Sequence, residues 1–345
     1  MHDREGVDEV IAVQERQMGR SGLWVTEVTL GTMTFGNQAD RNASFAIMDR
    51  AYEAGIRTFD TADVYPLGGG ADRRGETERI IGEWLKTRGV RKALVIATKA
   101  HGAMGDARHQ RGLGRRHLFE AVEESLDRLG IDGIDLYQAH QYDAETPMEE
   151  TIRAFDDLIR AGKIRYWGVS NWRAYQVALA LGIADRAGMA RPVSVQPRYN
   201  ALFRAIEEEL VPLCLQEGIG IIPYNPLAGG MLTGRYRTGQ AVEAGTRFGL
   251  EHGAGSMYQG RYWRPATFQV VEGIRREAER RGVPMAAATL RWVLDQPGIT
   301  SPIIGASRAE QLDTSLAGID LKLPAGLRSR FDAAWERLPR RFEPR

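Results

Sequence analysis

Short apolar runs alternate with amphipathic segments along nearly the whole chain, and this alternation constrains the fold more than any other feature. The runs are VTLGTM (28–33), RTFD (57–60), LVIATK (94–99), DLYQAH (135–140), IRYWGVS (164–170), VSVQ (193–196), GIIPY (220–224) and SPIIG (301–305). Between them lie helix candidates at 42–54, 75–88, 115–129, 149–161, 172–183, 206–217 and 266–281, and a last one begins near Arg308. In HLFEAVEESLDRLG, residues Leu118, Ala121, Val122, Ser125, Leu126 and Leu129 fall on one face, and Gly130 ends the segment. Strand and helix in strict alternation predict a (β/α)8 TIM barrel. A doubly wound sheet would carry G-x-G-x-x-G after its first strand. The sequence there is GTMTFGN, which does not fit.

Two departures from simple alternation are expected. GRSG at 19–22 sits between two short runs, so residues 17–28 read as a hairpin. Residues 225–265 show no clear periodicity and read as a long loop after strand 7, a lid over one face, with Tyr258, Tyr262 and Trp263 either covering a ligand or anchoring the loop. Residues 1–16 read as a flexible N-terminus and 17–345 as a single barrel domain.

Bulk properties narrow the function. Lys plus Arg is 46 against 45 for Asp plus Glu, a balance that argues against a nucleic-acid or membrane-surface binder. The single cysteine, Cys214, lies in LVPLCLQEG and reads as core packing. It permits no internal disulfide, as fits a cytoplasmic protein. The N-terminus has no apolar core like that of a secretory signal, and no run of 18 apolar residues is present. No His/Asp/Glu cluster marks a metal site.

Catalytic groups of a parallel barrel gather at the C-terminal ends of its strands. Asp60, Tyr65, Lys99 and His140 each follow a strand candidate there. A phenol is an acid at neutral pH, an adjacent ammonium is expected to lower its pKa, a carboxylate fixes the ammonium, and an imidazole orients a carbonyl. Such a set protonates an oxyanion as hydride arrives at carbon, and the hydride must come from a cofactor.

The motifs FDTADVY (59–65), IATK (96–99), LYQAH (136–140), GVSN (168–171), VQPRYN (195–200), PYNPLAGGMLTGRY (223–236) and IIGASRAEQL (303–312) are collinear with those of the aldo-keto reductases, which the chain resembles from about residue 18 to 320. The resemblance is to the bacterial branch near the potassium-channel β-subunit-like reductases. It implies NADP-dependent reduction of an aldehyde or ketone, with NAD the lesser alternative, Tyr65 as acid, and a tetrad completed by Asp60, Lys99 and His140. Ser170, Asn171 and Gln196 would hold the nicotinamide amide and Tyr224 its ring. Asn225, Pro226, Leu227, Ala228 and Arg235 would hold the pyrophosphate. Gly305, Ser307, Arg308 and Gln311 would lie at the adenosine 2′-phosphate, and Thr32, Met33 and Asp60 near ribose and substrate. The same branch raises an alternative, a cofactor-binding regulatory subunit with slow or no turnover.

The chain departs from the family at Thr314 and Ser315, where Glu-Asn usually touches the adenine, and at Pro66, where glycine usually follows the tyrosine. The substrate wall is expected from Met33, Phe35, loop 101–114 and Trp172. The basic residues of that loop (His101, Arg108, His109, Arg111) would favour anionic carbonyls if they face the site. The physiological substrate and the oligomeric state are not encoded in these patterns.

Overall fold

The computed structural model describes residues 13–339. A two-stranded antiparallel hairpin, β1 (Glu15–Gln17) and β2 (Trp24–Thr26), precedes the barrel. It starts two residues earlier than expected, so Glu15 and Arg16 are paired rather than loosely ordered; residues 1–12 lie outside the described ones. Met18, Leu23 and Val25 of the hairpin pack on Ala97, Leu136 and Ile222.

Eight parallel strands follow: β3 (Thr29–Gly31), β4 (Thr58–Asp60), β5 (Val95–Ala100), β6 (Ile134–Ala139), β7 (Ile164–Ser170), β8 (Ser194–Gln196), β9 (Gly220–Ile221) and β10 (Ile303–Gly305). Their order in the sheet is β10-β3-β4-β5-β6-β7-β8-β9. The ring closes between β9 and β10, where Thr300 N donates to Ile221 O (2.8 Å) and Ile303 N to Pro223 O (2.8 Å), with a parallel bridge from Tyr224 to Ile303. The (β/α)8 expectation is met.

Helices α1 (Arg41–Glu53), α2 (Glu76–Arg88), α3 (Arg115–Leu129), α4 (Met148–Arg160), α5 (Ala174–Ala187) and α6 (Leu210–Glu217) alternate with the strands up to β9. Their caps follow the sequence: Asp40 accepts from Ala43 N at the start of α1 (2.8 Å), and Gly130 ends α3 in the left-handed conformation. After β9 come α7 (Ala254–Tyr262), α8 (Pro265–Arg280) and α9 (Met285–Leu294), and after β10 come α10 (Glu310–Leu316) and α11 (Ala325–Asp332). Three of these helices, α7, α9 and α11, were not expected. The 225–265 stretch is therefore partly ordered: besides α7 it contains short 3-10 turns at Ala228–Thr233 and Arg247–Gly249. Among the described residues no helix is long and apolar enough to cross a membrane.

Candidate active site

One large cavity, about 1760 Å³, opens at the C-terminal ends of the barrel strands. It exceeds the usual small-ligand pocket of roughly 300–1,000 Å³, so it has room for a dinucleotide and a second molecule. Tyr65 and His140 both line it, their rings edge to face at 5.8 Å.

Behind them sits a buried ion pair. Lys99 on β5 is inaccessible to solvent, and its Nζ donates to Asp60 Oδ2 (2.6 Å) and to Thr61 O (2.6 Å). The other carboxylate oxygen, Asp60 Oδ1, accepts from Gln196 Nε2 (2.8 Å) and Gln138 Nε2 (3.2 Å). Both charges are thus satisfied, as burial demands. The Lys99 ammonium has three donors; two are committed, and Nζ lies 5.2 Å from the centre of the Tyr65 ring. Asp60, Thr61 and Tyr65 come from β4 and the loop after it, whereas Lys99, Gln138 and Gln196 come from β5, β6 and β8, so the barrel joins groups that lie far apart in sequence.

The electrostatics differ from the sequence expectation in one respect. Tyr65 does not have a lowered pKa. Burial, and then the field of Asp60, hold its phenol well above the usual range. Burial is the leading cause, since a phenolate would be poorly solvated there, and the Asp60 carboxylate, 2.6 Å from the Lys99 ammonium, adds a negative field that disfavours it further. His140 is held well below its usual range by burial and then by Lys99. At neutral pH the site therefore offers a protonated phenol and a neutral imidazole, which can donate one N–H to a carbonyl oxygen.

Beside this centre is a polar cluster. Asn171 takes a left-handed backbone conformation (φ 61°) that Asn tolerates better than most residues. Its Nδ2 donates to His140 O (3.1 Å) and Ser170 Oγ (3.1 Å), and its Oδ1 accepts from Tyr224 OH (2.9 Å). Ser170 Oγ in turn donates to Gln196 O (2.9 Å). The turn after Tyr224 is shaped by Asn225, whose Oδ1 accepts from Gly229 N (2.6 Å), and by Gly229 and Gly230 at φ 69° and 95°. Such positive φ values favour glycine, and a Cβ on Gly229 would lie 2.8 Å from the Tyr258 ring, so bare backbone meets the cavity wall here.

Of the candidate site residues, Thr32, Met33, Asp60, Tyr65, His140, Ser170, Asn171, Gln196, Tyr224, Asn225, Pro226, Leu227, Arg235, Gly305, Ser307, Arg308 and Gln311 all line this cavity. Lys99 lies one layer behind, and Ala228 is buried in the core while Gly229 and Gly230 reach the wall instead. Thr314 and Ser315 line the same end as Arg308 and Gln311. The substrate wall is corrected at several points. Phe35 and Trp172 are core residues, and Arg108 is an exposed partner of Glu145 (2.8 Å). Neither Arg108 nor Arg111 is on the cavity wall; His101 and Gly102 are the residues of that loop which reach it. Of the lid aromatics, Tyr258 lines the cavity. Tyr262 anchors the loop through Asn200 (3.0 Å) and Asn225 (2.9 Å), and Trp263 through Phe248, Tyr236 and Phe268.

Sequence reasoning missed Arg173, Arg198, Arg247, Arg261 and Arg264, which also line the cavity. Arg173 sits at the start of α5, and Arg198 lies within a quoted motif and could have been found there. Arg247, Arg261 and Arg264 come from the stretch read as an aperiodic loop. Arg247 sits over the Tyr258 ring at 5.6 Å, and its buried Nη1 has no hydrogen-bond partner among the described residues.

The fold and this rim define a class of protein, a (β/α)8 barrel with a buried ion pair, a phenol and an imidazole gathered at the C-terminal ends of its strands. The aldo/keto reductase family model matches residues 27–336, and the chain belongs to that family. It is 35% identical to a probable voltage-gated potassium channel subunit beta of Arabidopsis thaliana, over 90% of this chain and 92% of the relative. It is 31% identical to versiconal hemiacetal acetate reductase of Aspergillus parasiticus (89% and 92%). It is 34% identical to a putative aryl-alcohol dehydrogenase of Schizosaccharomyces pombe (89% and 91%).

Proposed function

We propose that the protein reduces aldehyde or ketone carbonyls to alcohols with NADPH, Tyr65 supplying the proton. The observation that carries this reading is the pairing of a protonated phenol and a neutral imidazole on one wall, with the Lys99–Asp60 ion pair fixed behind them. The residues fit a nicotinamide dinucleotide. The unpartnered Arg247 Nη1 and the bare backbone at Gly229 and Gly230 suit a pyrophosphate, and the forked donors of Arg308 suit a 2′-phosphate. Ser170, Asn171 and Gln196 would hold the carboxamide, and Tyr224, tied to Asn171, would face the ring. NADP is preferred over NAD on the strength of Arg308, with adenine contacts supplied differently at Thr314 and Ser315. When bound, the cofactor supplies a hydride to the carbonyl carbon.

The protein's own part is proton management. His140 donates its N–H to the carbonyl oxygen and sets its direction. As charge grows on that oxygen, it becomes far more basic than a phenolate, and Tyr65 gives up its proton despite the raised pKa. The Lys99 ammonium, 5.2 Å from the phenol ring, limits the cost of the transient phenolate.

NADPH oxidation by the purified protein against a panel of aldehydes and ketones tests this. Tyr65→Phe is expected to keep cofactor affinity and lose at least about a hundredfold in rate, the lower range for a general acid. A variant that turns over at the wild-type rate would remove Tyr65 from the chemistry. Similarity to a probable potassium channel β subunit supports a second reading, a regulatory cofactor-binding subunit. Wild-type protein that binds NADPH but reduces nothing on the panel would favour it.

A further inference from the structure

The interior of the barrel changes character along its axis. In a strand, alternate residues share a face. On β5 and β6, Ala97 and Leu136 pack on Met18, Leu23 and Val25 of the hairpin. Two residues further along the same strands stand Lys99 and Gln138, paired in register and both inaccessible to solvent. A parallel barrel is ordinarily filled by layers of bulky branched side chains from alternate strands. Here the alternate strands β4, β6 and β8 instead supply Asp60, Gln138 and Gln196.

These three side chains close a ring of hydrogen bonds. Asp60 Oδ1 accepts from Gln196 Nε2 (2.8 Å) and from Gln138 Nε2 (3.2 Å), and Gln138 Oε1 accepts from Gln196 Nε2 (3.3 Å). A carboxylate only accepts, so both amides turn their nitrogens to it. That leaves the Gln138 oxygen to face Gln196, and it commits both N–H groups of Gln196. Gln196 Oε1 is then the one polar atom of the two amides outside the ring. Gln196 lines the cavity and Gln138 does not. As packing, Gln138 has no advantage over an apolar residue of its size, and burying its carboxamide is costly without these bonds.

We propose that Gln138 is a positioning residue for the reaction: its carboxamide ties Asp60 to Gln196, so that the ion pair behind Tyr65 and the acceptor facing the cofactor are set as one unit. Asp60 in turn fixes Lys99 Nζ at 2.6 Å, and Lys99 faces the Tyr65 ring at 5.2 Å. Because Gln138 is off the cavity wall, it holds this geometry whether or not the cavity is filled. The proposal rests on the reductase reading and adds a residue to it.

The test is Gln138→Met, which fills the same space without a hydrogen bond, followed with the carbonyl that the wild type reduces best. The single-turnover rate of NADPH oxidation is expected to fall about tenfold, the scale of a hydrogen bond to a charged group. KM for the carbonyl is expected to stay unchanged, and NADPH to bind about threefold more weakly, the scale of a hydrogen bond between neutral groups. A purely structural role would act equally in any background, so the substitution is repeated in Asp60→Asn. There its effect on the rate is expected to shrink below about twofold, since the charge that it supports is gone. A Gln138→Met rate equal to that of wild type, a loss confined to KM, or an equal loss in both backgrounds overturns the proposal. Gln138→Asn, whose amide is one methylene short of its partners, carries the same cycle if Gln138→Met does not fold. Wild-type protein that binds NADPH and reduces no carbonyl brings down the reductase reading instead. NADPH affinity then decides the proposal: weaker binding by Gln138→Met upholds the tie to Gln196, and unchanged binding rejects it.

Discussion

Two buried carboxyl groups three residues apart have opposite fates. Asp60 has both oxygens bonded and a cation 2.6 Å away. Asp63 is fully buried, and neither of its oxygens has a hydrogen-bond partner among the described residues. Its neighbour Glu78 has taken the available donors, accepting from Thr98 Oγ1 (2.6 Å) and pairing with Arg128 (2.7 Å). Burial, and then Glu78, therefore push the Asp63 carboxyl well above its usual range. A raised folded pKa means that the native state binds the proton more tightly than the unfolded chain. The Asp63 contribution is favourable in acid and is lost as pH rises above the unfolded value of about 3.9. Asp63→Asn removes the charge that must be suppressed. It is expected to raise stability at pH 7 by on the order of 1 kcal/mol, the lower cost of an unsatisfied buried group, with the gain vanishing toward about pH 4. Urea melts at both pH values read the difference, and a variant no more stable than wild type at neutral pH would mean that Asp63 is not strained there.

Helices α2 and α3 show how contact between elements overrides local preference. Gly82 lies in the middle of α2, where alanine would improve helix propensity by about 1 kcal/mol. A Cβ there would lie 2.4 Å from Arg128 O and 2.8 Å from Leu129 O at the end of α3. Those are backbone atoms and cannot swing aside, so the helices must separate, at about 1–3 kcal/mol for overpacking. Gly82→Ala is expected to lower stability by a net 1 kcal/mol or so, visible as a reduced melting temperature; an unchanged or raised one would show that the α2–α3 interface is compliant. The same contrast explains what could be read from sequence. α3 was legible to the residue because one face is buried and a glycine ends it. α9 was invisible because, apart from Arg291, every residue from Met285 to Leu294 is buried, so the helix has almost no periodicity to read. α7 was hidden by its glycines and weak apolar stripe. The tetrad and most groove residues lay in recognisable strand-end motifs, whereas Arg247, Arg261 and Arg264 enter the site only because α7 and the turn before it fold across the rim. Arg108 and Arg111 looked equivalent to them in sequence, but their loop turns outward.

At the scale of the molecule, a chain with net charge +1 has concentrated seven arginines, counted among the described residues, in one cavity. The balancing carboxylates lie elsewhere, many of them in surface pairs such as Arg41–Glu83 and Arg116–Glu120. Near neutrality overall avoids long-range attraction to polyanions, while low-dielectric walls focus the local field on a ligand that enters the cavity. A dinucleotide phosphate brings several negative charges to that field. Much of the arginine array is partly open to solvent, so mobile ions can compete for it. Raising ionic strength from about 0.1 M to about 1 M shortens the Debye length from about 10 Å to about 3 Å. NADPH affinity is expected to fall severalfold or more over that range, with Arg308→Gln binding more weakly at low salt and responding less steeply, because one of the screened contacts is already gone. Fluorescence titration of NADPH into both proteins at several salt concentrations measures the two slopes. Parallel slopes would place Arg308 outside the phosphate field. A flat wild-type response would mean that shape and hydrogen bonding, rather than the sorted charge, hold the cofactor.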